Sequence, residues 1–134
     1  MTRFSAETGA ERRTLFAEAI AAHRERESPF LTIEAQRSEG APTEDGPAPW
    51  VQFATDAGLL NLDCTDEEID AVESVVREFG GARIVERTAP EEADGINLQI
   101  AVEGDEERIA TLIESLFRDG FGLAEDYWAW ATRI

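Results

Sequence analysis

Apolar positions recur along this chain with two periods, and the switches between them mark out its elements. From Leu15 to His23 the period is helical, with Leu15, Phe16, Ala19, Ile20 and His23 making one stripe and charges behind it. Thr8 and Glu11 stand at the T-x-x-E spacing of a capping box, which starts the helix, and Pro29 requires it to stop beforehand. "FLTIEAQR" then changes to period two, setting Leu31, Ile33 and Ala35 against Thr32, Glu34 and Gln36, the pattern of a half-buried strand. "WVQFAT" and "LLNLDC" flank "DAG" and form a hairpin with Asp56 to Gly58 at its turn, and Leu60, Leu62 and Cys64 share one face.

A second capping box, Thr65 to Glu68, opens a helix whose buried stripe is Ile69, Val72, Val75, Val76 and Phe79, and Gly80 and Gly81 are placed to end it. "ARIVERT" and "INLQIAV" are strands joined by the loop "APEEADG", the second alternating at Ile96, Leu98, Ile100 and Val102. Asp105 caps a third helix bearing Ile109, Leu112, Ile113, Leu116 and Phe117, with a stop near Gly120 or Gly122. In the tail "DYWAWATRI", period two sets Trp128, Trp130 and Ile134 against Tyr127, Ala129, Ala131 and Arg133; a short helix would instead join Tyr127, Ala131 and Ile134. The strand is the better match.

These elements predict one α+β domain over residues 1–134, an antiparallel sheet with helices mainly on one face, in the order α-β-β-β-α-β-β-α followed by the tail strand. The segment 38–49, "SEGAPTEDGPAP", has three prolines and two glycines and reads as a flexible loop. An alternative begins at Leu59 and reads β-α-β-β-α-β, a ferredoxin-like core with the tail as its fourth strand and the preceding residues as an extension.

Charge changes the picture more than composition does. Twenty-nine Asp plus Glu stand against twelve basic residues, all arginine, for a net charge of −17. At ~0.15 M salt the screening length is about 8 Å and such a surface repels itself, whereas near 1 M the length falls to about 3 Å. Together with the absence of lysine, the pattern resembles cytosolic proteins of salt-in haloarchaea. A decoy of nucleic acid would gather its carboxylates on one face, but here they run along the whole chain. Direct nucleic-acid binding needs clustered cations, and both "ERR" (11–13) and "HRERE" (23–27) are interrupted by glutamate, as solvated helix faces are. No apolar stretch suggests a signal peptide or a membrane span, so a cytoplasmic location is expected, and the single Cys64 is consistent with a reducing compartment.

Chemistry is hard to find. The one histidine, His23, sits on a helix border and the one cysteine ends an apolar strand, so no nucleophile has an evident base. There is no zinc spacing, Walker loop or G-x-S-x-G, and "DCTDEEID" lacks the glycine of a calcium loop and reads as an acidic first turn. No catalytic residue, metal or cofactor is therefore expected. The aromatic residues remain. Each can remove roughly 150–250 Å² from water on burial, so Trp128 and Trp130 are expected either to close the core as the last strand or, with Trp50 and Tyr127, to present an apolar patch to a protein partner or a second subunit.

The element order, small size and acidity resemble those of the type III secretion chaperones and the YbjN-like peptide-binding chaperones, and "LIESLFRDGFGLAEDYW" is similar to the last helix and following segment of YbjN-like domains. The resemblance implies a frequently dimeric domain that binds segments of other proteins without chemistry, here a chaperone-like module of a halophilic cytosol. The ferredoxin-like alternative implies a small-molecule sensor or regulatory module instead.

Overall fold

The computed structural model of the chain describes residues 5–6, 8–26, 30–36, 49–54, 57–89, 95–123, 125 and 127–133. Most of the loop expected at 38–49 lies outside them, as do Asp56, the residues 90–94 and Ile134. Along the chain the elements are β1 (Ser5–Ala6), α1 (Gly9–Glu25), β2 (Phe30–Gln36), β3 (Trp50–Ala54), β4 (Leu59–Cys64), α2 (Ile69–Phe79), β5 (Ala82–Thr88), β6 (Ile96–Val102), α3 (Glu106–Ser115) and β7 (Trp128–Arg133). This is the expected α+β order, preceded by the two-residue β1.

Local chemistry places the helix starts. The Glu11 amide donates to the Thr8 hydroxyl at 3.2 Å, and in the second box Thr65 N–H donates to Glu68 Oε1 at 2.9 Å while Glu68 N–H donates to Thr65 Oγ1 at 3.2 Å. Asp105 accepts from the Arg108 amide at 3.0 Å. Gly80 and Gly81, at φ +74° and +82°, turn the chain out of α2 into β5. The end of α3 differs from expectation: it widens into a π-helical turn, Leu116–Gly120, closed by Phe121 N–H donating to Leu116 C=O at 2.8 Å. Gly120 lets this turn press on α2, since a Cβ there would meet Val72 Cγ2 at 3.1 Å.

The strands form one antiparallel sheet in the order β1-β7-β2-β3-β4-β6-β5. One face carries Leu31 and Ile33, Val51 and Phe53, Leu60 and Leu62, and Leu98 and Ile100, all at 0% exposure, and it joins the buried stripes of the three described helices in a single core. The ferredoxin-like core is not formed. It requires β7 beside β4, but the β3–β4 hairpin occupies that edge and β7 pairs with β2. A hairpin partner a few residues away wins over one more than sixty residues away.

Candidate functional site

Two places in the fold gather polar or aromatic groups beyond what a helix-on-sheet core needs. The first is inside. In "ERR" Glu11 and Arg13 are exposed as expected of a solvated helix face, but Arg12 has 0% exposure and lies under the end of α3. Its Nε donates to Glu114 Oε1 at 2.9 Å, its Nη2 to Glu114 Oε2 at 2.7 Å and its Nη1 to the Tyr127 carbonyl at 3.0 Å. The guanidinium also stacks 3.9 Å from the centre of the Tyr127 ring, and the Tyr127 hydroxyl donates to Glu114 Oε1 at 2.7 Å.

Burial opposes the charge on Arg12, but the hydrogen bonds and negative charge of Glu114 outweigh it and hold the guanidinium above its ordinary pKa. Burial, the Glu114 charge and the hydrogen bond to Glu114 together push the Tyr127 phenol well above its own. The Tyr127 ring packs 5.6 Å from Phe117, which also touches Phe16 and Phe121. This cluster ties α1, α3 and the start of β7 together. Its functional groups all satisfy one another, as buried polar groups must.

The second place is the opposite face of the sheet, away from the helices. Period two in β7 resolves with Tyr127 and Ala129 inward at 0% exposure, and with Trp128 and Trp130 on the open face, half-buried. Of the four candidate partner-binding residues, Trp50, Trp128 and Trp130 share this face, while Tyr127 belongs to the core. The expectation that the two tail tryptophans close the core is thus corrected: Tyr127 does so, because only the inward position offers its hydroxyl the Glu114 carboxylate. Sequence reasoning missed Arg12 and Glu114 as partners. The available signal was faint, namely an arginine at the core-facing spacing before Leu15, Phe16 and Ala19.

Cross-strand register arranges the open face in rows. Trp130, Glu34 and Trp50 are consecutive neighbours on β7, β2 and β3, and the Trp130 indole N–H donates to Glu34 Oε2 at 2.8 Å. The next row is Thr32, Gln52, Asn61 and Gln99, crossing β2, β3, β4 and β6 with every member half-buried. Beyond it lie Phe30, Ala54, Leu59 and Ala101, with Phe30 43% exposed. Asp63, beside the aromatic row, accepts from Asn97 Nδ2 at 2.9 Å. In a chain of net charge −17, the described positions of these inner strands carry only Glu34 and Asp63 as charges on this face.

His23 and Cys64 lie where the sequence put them. His23, on the inner side of α1, has one ring nitrogen 3.0 Å from the Ala19 carbonyl and the other buried without a hydrogen-bond partner among the described residues. Cys64 is 3% exposed, and burial, helped by the charges of Glu68 and Asp63, pushes its thiol up to about 11. A groove of about 450 Å³ lies between α2 and the π-helical turn, with an apolar floor of Ala71, Val75 and Phe79 and a rim of Ser74, Glu78, Ser115 and Asp119. Among the described residues no group of His, Cys, Asp and Glu is placed to hold a metal, and no helix is long and apolar enough to cross a membrane.

No curated protein and no solved structure matches the chain. A family model does match it, over residues 1–134, and the chain with its helix-backed sheet and tryptophan-bearing open face belongs to DUF7975, a family of unknown function.

Proposed function

We propose that this chain is a non-enzymatic protein-interaction module, chaperone-like in holding a protein surface rather than transforming a substrate, adapted to a high-salt cytosol. Its docking surface is the open face of the sheet. The observation that carries this reading is the composition of that face, where aromatic residues are concentrated and charge is scarce in an otherwise densely acidic chain. Depletion of charge with enrichment of Trp and Phe is the compositional mark of the centre of a protein interface. Half-buried indoles held in register by strands are rigid anchors that lose little freedom when covered.

The test is photo-crosslinking from a benzophenone side chain placed at Thr32, in lysate at molar KCl. A protein adduct that disappears with Trp50→Ala and Trp130→Ala supports the reading. No protein adduct, or one indifferent to both substitutions, overturns it.

A second reading, small-molecule sensing, rests on the groove between α2 and the π-helical turn. Its size is within the ~300–1,000 Å³ of ligand pockets, and π-helical turns recur at functional sites. Stabilisation by a member of a metabolite panel, abolished by Ser115→Leu, favours it.

A further inference from the structure

Resting on the protein-interaction reading, we infer that the occupant of the open face is a second copy of this chain, packed sheet on sheet about a two-fold axis. Electrostatics carries the first step. A cationic partner would gain from carboxylates, and its docking surface on this protein would be acidic. Two copies at −17 each repel instead, and they can meet only where their contact surfaces bring few charges together. The inner strands of the open face are such a surface, with Glu34 and Asp63 as their charges, while Arg83 and Glu86 stand at its rim on the edge strand β5. Neutrality is the form that complementarity takes towards a like-charged partner.

The second step concerns symmetry. A two-fold interface sets each residue on the axis against itself, so the groups there must be self-complementary. On the inner strands the middle row is Thr32, Gln52, Asn61 and Gln99, each of whose side chains is both a hydrogen-bond donor and an acceptor, and only on the edge strand β5 does the row end in a carboxylate, Glu86 beside Gln99. With the axis along this row, the aromatic row of one copy falls over the Phe30–Ala54–Leu59 row of the other. Trp50 then lies over Ala54, a large side chain against a small one.

Size is consistent with this. The strands β7, β2, β3, β4 and β6 make a face about 24 Å by 20 Å, roughly 480 Å² in plan, which falls in the class of weak, reversible interfaces that bury under ~1,200 Å² in total.

The experiment is sedimentation equilibrium of the full chain across KCl concentrations, with circular dichroism at each to confirm folding. A reversible dimer is expected, and its association should strengthen as KCl rises, because salt screens the residual repulsion between acidic copies. An interface built on ion pairs would weaken instead, and that result overturns the inference. Gln52→Arg sets two guanidiniums against each other across the axis and should weaken association by about 100-fold with the monomer still folded. Asn61→Arg serves as a second variant in the same row. A wild type that stays monomeric at ~100 µM, or a dimer indifferent to both substitutions, also overturns the inference. A monomer that still yields the tryptophan-dependent crosslink to another protein refutes the second copy alone; a monomer without any crosslink removes the interaction reading as well.

Discussion

Replacing Arg12 by methionine tests whether the buried cluster organises the fold. The substitution keeps much of the stem and deletes a guanidinium that makes three hydrogen bonds and stacks on Tyr127. Glu114, 7% exposed, would keep only the Tyr127 hydroxyl for its carboxylate, and the Tyr127 carbonyl would lose its donor. Breaking a buried pair from one side costs about 3–5 kcal/mol, chiefly through the charge left behind. Against a total stability of ~5–15 kcal/mol this is a large fraction, and it corresponds to a fall in Tm on the order of 10–20 °C. Urea unfolding in molar KCl, followed by tryptophan fluorescence and circular dichroism, gives the difference directly. The double variant Arg12→Met/Glu114→Leu removes the stranded carboxylate and should recover part of the loss, leaving ~1–3 kcal/mol from the unpaired Tyr127 groups. A loss under ~1 kcal/mol in the single variant, or a double variant no better than the single, would refute the reasoning.

Three further outcomes are expected. Tyr127→Ala should cost about 3–5 kcal/mol and Trp128→Ala about 1 kcal/mol in the monomer, and equal costs by urea unfolding would mean the two rings do not occupy opposite faces. The Cys64 thiol is held up to about 11 against an ordinary value of 9.0. The folded state therefore retains a proton that the unfolded state releases, so stability is fully present below pH ~9 and falls as pH rises towards ~11. Urea midpoints between pH 7 and 11 should show this decline, and Cys64→Val should make it shallower; an unchanged profile in the variant excludes Cys64 as its source. Stability should also fall as KCl drops from molar to ~0.1 M, where a net charge of −17 is less screened, and constant urea midpoints over that range would contradict the high-salt reading.

Apart from the two-residue β1 and the π-helical turn after α3, the elements were legible along the chain, because their signals are local. A capping box satisfies amides within one turn, a glycine past a helix frees its own φ, and the alternation of Ile96, Leu98, Ile100 and Val102 needs only a face to bury. The hairpin of β3 and β4, the three stripes and the α+β class all follow from such near-neighbour physics. Features that depend on distant partners became visible only in the packed fold. Arg12 and Glu114 are 102 positions apart, and no pattern along the chain says that one arginine of α1 will be neutralised in the core. The phase of β7 was undetermined for a related reason: aromatic residues stand on both sides of its period, so hydrophobicity does not choose, and the hydroxyl of Tyr127 chooses by finding Glu114. Its place in the sheet was equally non-local. β7 sits beside β2, away from β4, because the β3–β4 hairpin had already taken that edge, and this placement puts Trp130 in line with Glu34 and Trp50 on the open face.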